Sequence, residues 1–433
     1  SRQLMDRLPS KHIMSIYSIT VTLFITSWKE PVHVCLDQYR QGQQAGMETG
    51  NVELSYRCWI GSLMHAQLCG LPLAQLQKTG RTCITQVEHY NLQATLDTFS
   101  PWQDMAETLM GIPSTVAAHP EKSWKESFDI TPLKEIKLSN YISWAYYYCS
   151  RIGLATYFGD IEAGKGYIAP LLFLAKTNNA YLVAAMRLFH SGLVLSRLAQ
   201  RTKNKRKRRK YSRQAQQYVG DMKSTIELRG GNNLHRYMIM QADAMAATGK
   251  ESEDVIKAAY DKAISTTARS GFIHETALAN ELAAEYFLLK ISAPSGTVNS
   301  RDGKGSSSSS SSSKNNKPTF PTSDKLSVGQ SSSSVCENGT AFDDGTDFYW
   351  PRQYLGNAIS LYNEWGAKAK VEQLLEKHPG LVDRSMLEGG VDGDNGEGGG
   401  QRRKRRTTRH TADTRMCLAT VHKLMAEINL DAM

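Results

Sequence analysis

The chain has 433 residues, 40% of them hydrophobic and 22% charged, with a formal net charge of +10. That length allows several domains or one elongated repeat array, and that composition excludes a wholly disordered or collagen-like protein. The most apolar stretch, His12–Ile25, is shorter than the roughly 20 residues that span a bilayer and carries several hydroxyl and imidazole groups, which excludes a polytopic membrane protein.

Apolar residues recur at helical spacing from the start of the chain. The pattern predicts helices over about 10–27, 32–48, 52–69, 72–90 and 92–110. Further helices are expected over 136–158, 161–176, 179–200, 211–228, 233–247, 252–270 and 273–290. Tyr141, Ala145, Tyr148, Ile152 and Ala155 form one stripe, and Leu182, Met186, Phe189 and Leu193 another. Val255, Ala259 and Ala263 lie beside Ile256, Tyr260 and Ile264. Leu278, Leu282, Tyr286 and Leu289 follow the same rule. Beyond these come 351–365, 367–377 and 415–428. Many of the helices end at a glycine followed by a new helix, as at Gly50-Asn51-Val52-Glu53, Gly159-Asp160-Ile161-Glu162 and Gly249-Lys250-Glu251, and an Asn, Asp, Ser or Thr just afterwards can cap the next helix. Convincing alternating strands are scarce.

Helices of this length joined by short turns make antiparallel pairs, and stacked pairs bury faces that one pair leaves open. The expected fold class is all-α: a TPR-like α-solenoid of antiparallel helix pairs with disordered low-complexity inserts. Residues 1–290 form the array, with a basic insert at 201–213. A Ser-rich insert follows at 291–347, then a last helical pair at 348–380. A Gly-, acid- and base-rich linker occupies 381–414, and a helix begins within 415–433. Lys203–Lys210, Ile291–Asp347 with its eight serines Ser306–Ser313, and Glu388–Gly400 bury too little apolar surface to offset ordering entropy and read as disordered loops.

The basicity is local. Arg201–Arg213 holds nine Lys or Arg and Arg402–Arg409 holds six, with no acid in either. Subtracting those 15 from +10 leaves the remainder at −5. The two runs read as solvated loops, nuclear-import signals or polyanion contacts. Aromatic interleaving is absent apart from Tyr211, so base stacking is not suggested.

Signals for chemistry are weak. Gly159–Gly166 has the G-x-x-x-x-G-K spacing of a phosphate-binding loop. Gly166 stands where Ser or Thr is required, a helix precedes it, and Asp160 and Glu162 would repel phosphate, so it reads as a turn between helices. His274-Glu275 resembles the start of a zinc-protease motif, but position 278 is Leu, and His274 reads as buried or capping. Seven cysteines (Cys35, Cys58, Cys69, Cys83, Cys149, Cys336, Cys417) without a C-x-x-C pair fit a reducing compartment, and Cys58 and Cys149 read as core. Ser306–Ser313 is a candidate phosphorylation tract. Asn338-Gly339-Thr340 matches a glycosylation acceptor. Trp59, Trp144, Tyr148, Trp350 and Trp365 are candidate partner anchors, with burial in the core the commoner fate. No catalytic, cofactor-binding or metal-ligating residue is assigned.

The string AAYDKAISTTARSGFIHETALANELAAEYFL, and then LYNEWGAKAKVEQLLEKHP, resemble a segment of large signalling proteins. In that family a Ser/Thr protein-kinase domain precedes a STAND-type ATPase of the AAA class, a TPR-like helical region, a GAF domain and a histidine kinase. SWKEPVHVCLDQYRQGQQAGMETGNVELSYRCW and SRIGLATYFGDIEAG resemble its earlier helical pairs. CLATVHKLMAEINLDAM resembles the helix leading into the GAF domain. The resemblance covers about four-fifths of the chain and departs at Ile291–Asp347, Lys203–Lys210 and Glu388–Arg409. It implies a piece of a larger kinase and ATPase protein and a non-catalytic helical scaffold. That scaffold would bind protein partners or couple neighbouring ATPase, GAF and kinase domains, in the cytoplasm. None of the family's catalytic residues has a counterpart here. The alternative is a nuclear nucleic-acid-associated protein that uses the basic runs, and a third is a nucleotide hydrolase at Gly159–Gly166.

Overall fold

The computed structural model describes residues 10–114, 141–176, 180–292 and 348–382. The described residues are all-α, with one isolated bridge between Pro379 and Val382 outside any strand. The expectations for the Ser-rich insert beyond Ser292, for the 381–414 linker beyond Val382, for the 415–428 helix and the start of a helix within 415–433, and for Arg402–Arg409, Cys336, Cys417 and Asn338-Gly339-Thr340 lie outside them.

Helix α1 (Lys11–Val21) continues through a π turn, Thr22–Thr26, into Ser27–Lys29. Helices α2 (Val32–Glu48), α3 (Val52–Leu68), α4 (Leu73–His89) and α5 (Gln93–Met110) follow at short turns. Next come α6 (Tyr141–Phe158), α7 (Ile161–Leu174), α8 (Tyr181–Arg201) and α9 (Lys205–Arg229). Helices α10 (Leu234–Thr248), α11 (Glu253–Arg269) and α12 (Ile273–Ile291) precede α13 (Tyr349–Trp365) and α14 (Lys368–Lys377). Each of these helices matches one expected from the periodicity, with ends within a few residues except that α9 starts six residues before the expected 211; residues 136–140 of the expectation for α6 lie outside the described residues.

One expectation is corrected. The basic run Lys203–Lys210 is not a disordered loop: Lys205–Lys210 forms the opening turns of α9. The Asn204 side chain accepts the backbone N–H groups of Arg206 (3.0 Å) and Lys207 (3.1 Å), which supplies the cap. Lys and Arg are good helix formers, and a cap plus a continuing amphipathic helix outweighs their mutual repulsion.

Packing follows two rules. Each helix lies against the next in sequence, and alternate helices also touch: α1 with α3, α3 with α5, α6 with α8, α8 with α10, and α10 with α12. Close approach needs small residues. A Cβ on Gly61 of α3 would sit 2.6 Å from the Tyr39 ring of α2. The alternate helices carry the densest burial. In α12 every residue from Ile273 to Phe287 is buried. Helix α8 is the one described helix long and apolar enough to cross a membrane, and 94% of its apolar window is buried inside the protein.

The chain also closes on itself. Helix α14 packs on α5 and α6. The Trp365 indole N–H donates to the Leu71 carbonyl at 3.1 Å, across 294 residues of sequence. Asn232 donates to the carbonyls of Ser27 (2.9 Å) and Glu30 (2.6 Å), and Trp28 meets Tyr181 edge-on at 5.0 Å. An open array in which each repeat touches only its neighbours has no such contacts. The inner faces meet in one core instead of lining an open concave surface.

Candidate functional site

Helix α12 places three carboxylates in that core. Glu275, Glu281 and Glu285 are each at most 4% exposed. An ionised carboxylate buried alone would be prohibitively costly, so each must find cations. Glu275 Oε1 accepts from Arg236 Nε at 2.7 Å, and Oε2 lies 2.8 Å from His235 Nε2. Glu281 accepts from Lys370 Nζ at 2.7 Å and from the Tyr362 hydroxyl at 2.9 Å. Glu285 pairs with Arg197, with Lys377 and, at 3.2 Å, with Arg201. The cations come from α8, α10 and α14, so this ionic row joins four helices.

Arg236 is the most heavily committed of these groups. Besides Glu275 it donates to Asn233 Oδ1 (2.8 Å), the Tyr181 hydroxyl (3.4 Å) and the Leu68 carbonyl (3.4 Å). Its guanidinium lies 5.5 Å from the Phe272 ring centroid, and His235 stacks on the same ring at 3.9 Å. Burial alone would raise the pKa of Glu275, but Arg236 and His235 hold it well below the usual carboxylate range. Burial lowers the Lys370 pKa, and Glu281 opposes that shift.

Beside the row lies a small cavity of about 20 Å³. Gln67 of α3, Trp102 of α5, Tyr157 of α6, His190 of α8, His274 of α12 and Trp365 of α13 line it. Its size is that of a single water, too small for an organic substrate as it stands. Burial lowers the pKa of His274 to about 4, that of His190 to about 3 and that of His65 to about 4. All three are neutral at physiological pH.

The residues singled out in the sequence fall into place around this core. Gly159 is left-handed (φ +70°) after α6. Asp160 caps α7 by accepting the Ala163 N–H at 3.2 Å, and Lys165 pairs with Glu162 at 3.2 Å. The segment is a turn running into a helix and offers its lysine to a carboxylate. His274 is buried, and its Nε2 lies 3.7 Å from Glu275 Oε1. Among the described residues no cluster of three or more His, Cys, Asp or Glu could hold a metal. The five described cysteines are free, and burial pushes Cys35 to about 11 and Cys58, Cys69 and Cys149 to about 12. Thiols held so far from ionisation are poor nucleophiles.

Of the candidate anchors, Trp59, Trp144 and Trp365 are buried and Tyr148 is half-buried. Trp350 is 40% exposed, with the Lys257 ammonium 3.7 Å from its ring centroid. Lys203 and Lys205–Lys210 are all exposed, as is Arg213. Of the residues that organise the core, Arg236, Glu281, Glu285 and Lys370 have no place among the sequence candidates, and Glu275 enters only through the rejected zinc-protease likeness. No family model matches the chain, and no curated protein or solved structure matches it.

Proposed function

We propose that this chain is a non-catalytic helical scaffold, a TPR-like array of antiparallel pairs wound until its inner helices meet. Its role is protein–protein interaction or interdomain coupling in a kinase and ATPase type of signal-transduction protein in the cytoplasm. The observation that carries the reading is the ionic row on α12. It spends the perturbed titratable groups on tying α8, α10, α12 and α14 together, beside a cavity too small for a substrate. The contact of alternate helices is the pattern expected of stacked helix pairs. A body locked this way transmits a displacement of one helix to distant helices, because packed interfaces shift as units.

Cross-linking mass spectrometry on the complex isolated from cells at native expression tests this. Lysines of α9 and α11 are expected to cross-link to a kinase- or ATPase-bearing polypeptide, whether part of the same chain or a separate one. Turnover of ATP by the purified chain, abolished by Lys165→Ala, would instead make it a hydrolase.

The alternative, a nuclear protein that holds nucleic acid through its basic runs, draws support from one observation. The first run is an ordered, exposed helical element. Co-purification of RNA or DNA, lost when Lys205–Lys210 is neutralised and accompanied by no kinase or ATPase cross-link, would favour it.

A further inference from the structure

The opening turns of α9 are electrostatically unfavourable as they stand. Lys203, Lys205, Arg206, Lys207, Arg208, Arg209, Lys210 and Arg213 are exposed, and among the described residues no carboxylate lies within 4 Å of any of them. They also sit at the positive end of the helix macrodipole, where anions are favoured. The charge is held in place. Arg208 Nη2 donates to the Thr248 carbonyl at 3.3 Å, and Ser212 donates to the Ala247 carbonyl at 3.3 Å, which fasten the turn to the end of α10.

Those fasteners border a cleft. Between α9 and α10 lies an open groove of about 340 Å³, within the range of small-ligand sites (roughly 300–1,000 Å³). Val219, Ala244 and Met245 supply its apolar lining, Gln216 and Gln241 supply amides, and Thr248 is shared with the Arg208 contact. Lys250 and Glu251 lie at the same end, and Glu251 is the one carboxylate in the lining. The groove thus offers an apolar seat and free amides next to a block of unpaired cations.

We infer that this groove and the basic turns beside it form one docking site for an acidic protein segment that carries an apolar anchor. The anchor seats against Val219 and Met245. The carboxylates neutralise the Lys205–Lys210 turns. Charge complementarity selects an acidic ligand, and the apolar lining selects a peptide over a phosphate polymer. A single-stranded nucleic acid would want aromatic platforms. The one aromatic ring in the run, Tyr211, is half-buried and lies 5.9 Å from the Lys165 ammonium. The inference deepens the scaffold reading by naming a partner chemistry.

Fluorescence anisotropy on the purified full chain tests it. The probes are a fluorescein-labelled peptide of Glu and Asp around one Leu-x-x-Leu pair, its Leu→Ala analogue, and fluorescein-labelled oligouridine. The acidic peptide should bind saturably and weaken with salt. Loss of its leucines should cost about tenfold or more, or 1.4 kcal/mol. Arg206→Glu with Arg209→Glu should cost at least about as much. Gln241→Trp, which fills the groove from an exposed position, should weaken the peptide without lowering the helical circular dichroism signal. Equal binding of the Leu→Ala analogue, indifference to Gln241→Trp, or oligouridine binding as tightly as the peptide would overturn the docking site. Each of those results leaves the cross-linking test of the scaffold reading untouched.

Discussion

Helices α12 and α9 are both rich in like charge, and they handle it in opposite ways. In α12 the carboxylates of Glu275, Glu281 and Glu285 are buried, and guanidinium or ammonium groups from three other helices meet them. In α9 the six consecutive cations Lys205–Lys210 face solvent, and among the described residues no carboxylate lies within 4 Å of them. A buried charge constrains where its partner helix must sit, because the alternative is an uncompensated ion in a poorly polarisable interior. An exposed one is screened and constrains little. The first kind of charge therefore specifies the fold, and the second is left over for something outside it.

Lowering the pH is the strongest way to break the core while sparing α9. His65, His190 and His274 are buried, and burial depresses their pKa to about 4, about 3 and about 4. A histidine whose folded pKa lies below its unfolded value of about 6.5 takes up a proton more readily in the unfolded chain. Stability must then fall as pH drops below about 6.5, and it keeps falling until about 4 for His65 and His274 and about 3 for His190. At about 1.36 kcal/mol per unit, the loss by pH 5 approaches about 2 kcal/mol per histidine, or about 6 kcal/mol for the three as a ceiling. Glu275, held low by Arg236, keeps its contribution between pH 7 and pH 5. Urea unfolding at pH 7 and pH 5 measures the difference. An unchanged midpoint would mean that these imidazoles are hydrated in solution.

Removing one partner from the ionic row comes next. Arg236→Met leaves Glu275 buried with only histidines near it and should cost about 3–5 kcal/mol. Adding Glu275→Leu should restore part of that loss, since an apolar pair avoids the stranded charge. A drop in urea midpoint at constant slope reads both. Lys370→Met should cost somewhat less, about 3 kcal/mol, because Glu281 keeps the Tyr362 hydroxyl. Its signature is local. Amide exchange in α13 and α14 should accelerate more than in α2 and α3, since Lys370 is one of the ties that hold α14 to α12.

What the sequence made legible follows the same division. Helices are a matter of local spacing, and stripes such as Leu182, Met186, Phe189 and Leu193 mark them plainly. The ionic row is a matter of long-range pairing, and Glu281 with Lys370 spans 89 residues. A signal was present nonetheless. Residues 273–287 contain Ala277, Ala279, Ala283 and Ala284 and show no polar face, while Glu281 and Glu285 repel at i,i+4 with no basic neighbour on their own helix. That combination marks a helix surrounded on all sides whose charges are met from elsewhere. The closure through Trp365 and Leu71 left no comparable trace, since a tryptophan near a helix end buries equally well in any core. In the basic run, charge density alone misleads. A loop and a capped helix share that density, and Asn204 at the head of good helix formers was the deciding residue.

The smallest effect has the opposite sign and separates the two helices most cleanly. Lys207 is the third residue after the Asn204 cap of α9, inside the turn where the helix presents unpaired N–H groups. A cation there opposes the macrodipole and adjoins like charges on both sides. Lys207→Glu should therefore stabilise the protein by about 0.3–1 kcal/mol at low ionic strength, and the gain should shrink as salt is added. Glutamate also suits the third position of a capped helix, because its side chain can reach back to the backbone N–H of the cap residue. A rise in urea midpoint that disappears in high salt is the expected result. A loss of stability would mean that the Lys207 ammonium already has a partner within the folded chain, and the contrast between paired interior charge and unpaired surface charge would fail at that position.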